Sequence, residues 1–142
     1  MVGETRFYKR FESFSRAYLS LRDVLTGKLG LELNPLEREG LIHRFKNTVD
    51  LGWKLMFDYL VQEGVFLEEI TPKSVIRASF VAQIIESGNP WLELLTFKTY
   101  LSYNYDDETF VGVVDKIQEY YLDLMGDLYH RFLQLEELKK LS

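Results

Sequence analysis

Phe7, Phe11, Phe14, Tyr18, Leu21 and Leu25 recur at spacings of four and three. That period puts all six on one stripe of a helix, and such a stripe is stable only when another surface covers it. The same period returns through Leu41, Phe45, Val49, Gly52, Met56 and Tyr59. It appears again through Phe110, Val114, Ile117, Tyr121, Leu124, Leu128, Phe132 and Leu135, where it approaches a heptad. Helices with a single apolar face bury those faces against one another. The chain is therefore expected to be all-α, an up-and-down four-helix bundle with an additional short helix.

Turn and cap chemistry divides the chain. Thr26-Gly27-Lys28-Leu29-Gly30 closes the first helix. Asn34-Pro35-Leu36-Glu37 offers an N-cap, a proline at the first helical position and a capping-box acid for the second, which is expected to stop near Gly64. Thr71-Pro72 opens a shorter third helix through Val75, Ile76, Ser79 and Ala82, expected to end before Gly88. Asn89-Pro90 caps the fourth, and Asp106-Asp107-Glu108-Thr109 places acids where the dipole of a fifth favours them. Phe97 to Tyr105 is ambiguous. It is aromatic-rich without Gly or Pro, so propensity alone admits a strand, whereas as a helix it is apolar on nearly every side.

At 142 residues the chain is read as one domain spanning 1–142. A net charge of −5 argues against coating nucleic acid through a broad basic surface, although it leaves room for a local basic pocket. With no cysteine, a disulfide framework, a thiolate zinc site and a cysteine nucleophile are all excluded. That composition fits a cytoplasmic protein. The N-terminal MVGETRFYKRFE is charged and no 18-residue apolar run occurs, so neither a signal peptide nor a membrane span is expected.

Trp91 to Glu108, WLELLTFKTYLSYNYDDE, aligns without a gap on a signature of the form W-L-x-M-x-x-x-R-N-x-x-x-H-x-Y-D. Glu39 to Phe45 with Asp50 to Lys54 is similar to x-I-Q-x-F-E-x-x-x-E-L-x-W-K, and Pro72 to Phe80 to P-[RK]-x-V-I-R-x-A-F. In these blocks, in order and at matching spacing, the chain resembles the small helical subunits that accompany minimal nucleotidyltransferases, the substrate-binding branch of the HEPN superfamily. The resemblance tips Phe97 to Tyr105 to helix. It implies a homodimer that pairs with a separate minimal nucleotidyltransferase, together with a bound small molecule or nucleotide. No Gly-Ser loop or Asp-x-Asp pair of a transferase is present here. No intrinsic cofactor is therefore expected, and nucleotide and magnesium would come with the partner.

Where the family carries arginine, asparagine and histidine, this chain has Lys98, Thr99 and Tyr103. In ribonuclease members of the superfamily the arginine holds phosphate and the histidine transfers a proton. Lys98 keeps the charge but lacks the planar fork. Tyr103, a phenol with an ordinary pKa of about 10, is a poor base near neutrality. No catalytic residue is therefore assigned, and no metal ligand. Lys98, Thr99, Ser102 and Tyr103 become candidate nucleotide or phosphate contacts. Tyr105 matches the tyrosine that accepts AMP groups in toxin–antitoxin members of the family. If the fourth helix reaches that far, Lys98, Ser102 and Tyr105 share a face at i, i+4 and i+7. The resulting reading is a non-catalytic companion subunit, with Tyr105 as its candidate nucleotidylation acceptor. The alternatives are a HEPN-type ribonuclease toxin with a degenerate motif and an inert dimeric scaffold.

Elsewhere, Lys46, Asp50, Lys54 and Asp58 form a ladder of alternating charge at four-residue spacing, read as a solvated face of weak ion pairs. His43 and Asn47 lie one turn apart, and His130-Arg131 lacks metal-like spacing; neither pair is read as a ligand site. Trp53 and Trp91 are read as core or dimer anchors.

Overall fold

The computed structural model describes residues 2–27, 32–103 and 110–141. Helix α1 spans Val2–Gly27, α2 Pro35–Gln62, α3 Pro72–Val81, α4 Asn89–Tyr103 and α5 Phe110–Lys116. A π-helical turn, Ile117–Tyr121, joins α5 to α6, Leu122–Leu141, without leaving helical geometry. No strand occurs among the described residues. The ambiguous segment is helical as far as Tyr103, the last described residue before 110.

The caps form as their chemistry dictates. Asn34 Oδ1 accepts from the Glu37 amide at 2.8 Å, and Glu37 Oε1 accepts from the Asn34 amide at 3.0 Å, with Pro35 at the first helical position. Thr71 and Ser74 repeat the reciprocal pair at 3.1 and 3.0 Å. Helix α2 stops where expected: Gly64 turns left-handed at φ 79°, and the Val65 amide reaches back to the Leu60 carbonyl. Such a 6→1 bond is the mark of a Schellman end.

Helix α3 ends at Val81 with Ala82 as its C-cap, before Gly88 as expected. Gln83 adopts φ 63°, its amide bonds to the Phe80 carbonyl, and the Ile84 amide bonds to that of Ser79. This is a second Schellman end, with glutamine at the left-handed position. It turns the chain so that Ile84 and Ile85 are buried, which a helix continued to Gly88 would not do. Helix α4 begins at Asn89, with the Leu92 amide bonded to the Gly88 carbonyl, so Asn89 sits inside the first turn rather than capping it.

All six stripe residues of α1 are buried, and α2 adds Leu41, Phe45, Val49 and Met56. Helix α2 is central and touches α1, α3, α4 and α6. Gly52 makes room where three elements converge: a Cβ there would lie 3.3 Å from both the Phe14 ring and the Trp91 indole. Aromatic groups tie the bundle at two places. Phe7, Tyr59 and Phe132 join α1, α2 and α6 with centroids 5.2–5.6 Å apart. Phe45, Phe97 and Tyr121 join α2, α4 and the π turn at 5.1–6.2 Å. Each such pair adds about 0.5–1.5 kcal/mol beyond its buried area.

The near-heptad stripe of the last helix is interrupted. The Leu122 amide bonds to the Ile117 carbonyl, five residues back. The wider turn shifts the inward face by about one residue. Beyond it Met125, Leu128 and Phe132 are buried, whereas Leu124 and Leu135 are only half-buried.

Candidate functional site

Helix α4 buries Trp91, Leu94, Phe97 and Leu101 on one stripe. This fixes where the neighbouring side chains project, because a step of one residue turns the helix by about 100°. Lys98 emerges on the flank facing α2, where its ammonium pairs with the Asp50 carboxylate. The lysine side chain is 25% exposed and the aspartate 36%. Lys98 therefore does not simply snorkel into water; it helps clasp α4 to α2.

Thr99 is exposed, and its hydroxyl donates to the Leu95 carbonyl at 3.1 Å. Ser102 follows Lys98 by one turn, and Tyr103 is the last residue of α4. The side chains of Ser102 and Tyr103, the whole of Tyr105 and the acids Asp106 to Glu108 lie outside the described residues.

The charge ladder on α2 is not one solvated face. Residues four apart advance by about 40° around the helix, so twelve residues carry the ladder about a third of the way round. Asp50 consequently meets Lys98 on α4. Asp58, 3% exposed, faces α1 and accepts from Arg10 Nε at 2.9 Å. Lys54 is exposed and Lys46 half-buried. His43 is exposed and lies two turns before Asp50 on the same face, with Asn47 between them. Contacts of Gly52 with Trp91 and of Phe45 with Phe97 show that α2 and α4 run in opposite senses. The His43 end of α2 therefore lies toward the C-terminal half of α4. Sequence spacing gave no sign of this, because the two segments are separated by more than fifty residues.

Trp91 is core, 1% exposed, and Trp53 is half-buried against the core. His130 and Arg131 are exposed on α6. Among the described residues no group of three or more His, Cys, Asp or Glu side chains is arranged to hold a metal ion. No described helix is long and apolar enough to cross a membrane.

The strip is small: Lys98 pairs with Asp50, and Lys46 and Lys54 stand one turn to either side of that carboxylate along α2, within a chain of formal net charge −5. It brings positive charge and hydrogen-bond donors beside one carboxylate, Asp50, which is already paired with Lys98. Comparison with curated protein sequences gives no match. A family model described as nucleotidyltransferase substrate binding protein like matches residues 9–134, a span that runs from within α1 to within α6 and includes the α4 signature and Asp50. The chain belongs to this family of substrate-binding companions of nucleotidyltransferases.

Proposed function

We propose that the protein is a non-catalytic companion subunit that docks a minimal nucleotidyltransferase and presents to it either a bound acceptor or its own Tyr105. The observation that carries this reading is the Lys98–Asp50 pair. At the position where ribonuclease relatives hold phosphate with arginine, this chain directs its cation to a carboxylate on α2. A carboxylate beside the site repels a phosphodiester and offsets the charge that would bind one. With tyrosine at the histidine position, the pair of groups needed for metal-independent RNA cleavage is missing.

A docking role also finds support in the surface. Phe66 is 85% exposed, Val81 80% and Ile70 60%, in the loop after α2 and at the end of α3. Apolar side chains of this size, close together in sequence and exposed, are candidates for a contact with the partner. Tyr105, between Lys98 and the helix that starts at Phe110, is the proposed acceptor. A homodimer presenting two such sites is the assembly this reading expects.

The test is a tagged pull-down from native cells, read together with the intact mass of the bait. Recovery of a small nucleotidyltransferase, with the bait heavier by whole AMP units and the increment lost in Tyr105→Phe, is the expected result. A lone unmodified dimer would leave an inert scaffold as the function. RNA cleavage by the purified chain, abolished in Lys98→Ala, would make it a ribonuclease.

A further inference from the structure

A groove of about 430 Å³ runs between α4 and the α5–π segment, on the flank of α4 opposite Lys98. Glu93, Phe97 and Tyr100 line it from α4; Gly112, Lys116 and Tyr121 line it from the other side. Its volume lies in the range of small-molecule pockets.

Two features of this wall are locally unfavourable, and the fold retains both. Gly112 sits inside a helix, where glycine costs about 1 kcal/mol relative to alanine. Neither the backbone nor the packing calls for it. Its φ is not positive, and a Cβ there would meet nothing within 4 Å. The bare position widens the groove. The π turn, the second feature, ends at Tyr121 and sets that ring 5.1 Å from Phe97. Single π turns inside α-helices recur at functional sites because they re-aim side chains.

The charges are equally specific. Lys116 Nζ lies 5.4 Å from the centroid of the Phe97 ring, and among the described residues no carboxylate pairs with it. The ring holds the ammonium at the groove without neutralising it. The Tyr121 phenol is protonated near neutrality in any case, and burial, then the nearby Glu93, shifts it further upward. Aromatic walls, a cation in no ion pair among the described residues, a phenol donor and a carboxylate that can accept from ring N–H or hydroxyl groups together suit a flat ring whose anion sits at the Lys116 side.

We propose that this groove binds an aromatic phosphate of the nucleoside monophosphate class, its ring against Tyr100 and Tyr121 and its phosphate on Lys116. The choice of a nucleotide rests on the companion-subunit reading; the aromatic and anionic character rests on the groove. Titration calorimetry of the full chain with AMP, adenosine and inorganic phosphate tests it.

Sub-millimolar AMP binding is expected. Lys116→Gln should weaken AMP at least tenfold and leave adenosine within about twofold. Gly112→Leu should fill the groove and abolish both without lowering the melting temperature, since leucine is the better helix former. No binding of AMP at millimolar concentration, or unchanged binding in Gly112→Leu, overturns the proposal. Inorganic phosphate binding as tightly as AMP overturns the role of the aromatic wall. Capture of the nucleotidyltransferase by a chain that does not bind AMP would sink this site alone. AMP binding by a chain that captures no transferase would sink the companion reading alone.

Discussion

Arg10 Nε donates to Asp58 Oδ2 at 2.9 Å, joining α1 to α2 through a carboxylate that is 3% exposed. Removing the guanidinium strands a buried charge, which costs more than the pair contributes. Arg10→Ala is expected to destabilise the bundle by about 2–3 kcal/mol, the partial exposure of the arginine softening the loss. The double variant Arg10→Met/Asp58→Leu should recover most of it. Urea midpoints of the three proteins check this, and equal midpoints for the double and single variants would contradict it.

Glycine-to-alanine changes at two positions of the last helical stretch should have opposite signs. At Gly126 a Cβ would stand 2.5 Å from the Tyr18 hydroxyl and 3.2 Å from its ring, and that ring is buried and stacked on Phe14. Gly126→Ala is expected to cost about 1–3 kcal/mol despite the gain in helix propensity. A Tyr18→Phe background, lacking the hydroxyl, should reduce the penalty. At Gly112 the added methyl meets nothing, and Gly112→Ala should stabilise by about 0.5–1 kcal/mol. Thermal unfolding of the variants decides both signs.

Gln83 holds a left-handed backbone at φ 63° and is exposed. A residue with a Cβ is disfavoured there by about 1 kcal/mol or more, and glycine carries no such penalty. Gln83→Gly is expected to raise the melting temperature by a few degrees. A fall would mean that the side chain contributes more than its backbone conformation costs.

Stability should decline in alkali. Burial raises the phenol pKa of Tyr18, Tyr59 and Tyr121 above the ordinary 10.0; Glu63 adds to the shift at Tyr59 and Glu93 at Tyr121. Below that value the phenols are protonated in both folded and unfolded chains, and their full contribution is present. Above it the unfolded chain releases protons that the folded chain retains, so stability falls as pH rises through the folded values. Urea midpoints should therefore be insensitive to these groups between pH 7 and 9 and drop from about pH 10. Tyr121→Phe should flatten part of the drop, and an identical profile in that variant would remove Tyr121 from the account.

The amphipathic stripes of α1 and α2, the capping boxes at Asn34 and Thr71 and the stop at Gly64 were all legible in the sequence. Each depends on residues within a turn or two of one another, where period and cap chemistry act without the rest of the chain. The nucleotidyltransferase-companion family was legible as well, because its blocks are contiguous stretches of sequence. The left-handed turn at Gln83 after α3 was not, because glutamine gives no such signal and it is the burial of Ile84 and Ile85 that rewards the turn.

Tertiary structure alone decided the pairings. A four-residue charge ladder does not reveal that a 40° drift per step sends Asp50 to Lys98 and Asp58 to Arg10. Periodicity likewise does not announce a π turn that displaces Leu124 from the core in favour of Met125 and brings Tyr121 to Phe97. The sequence by itself determined where α1 and α2 run and which faces they bury. The packing of those helices determined which charges meet and where a groove opens, because such relations depend on distances between segments that no local pattern encodes.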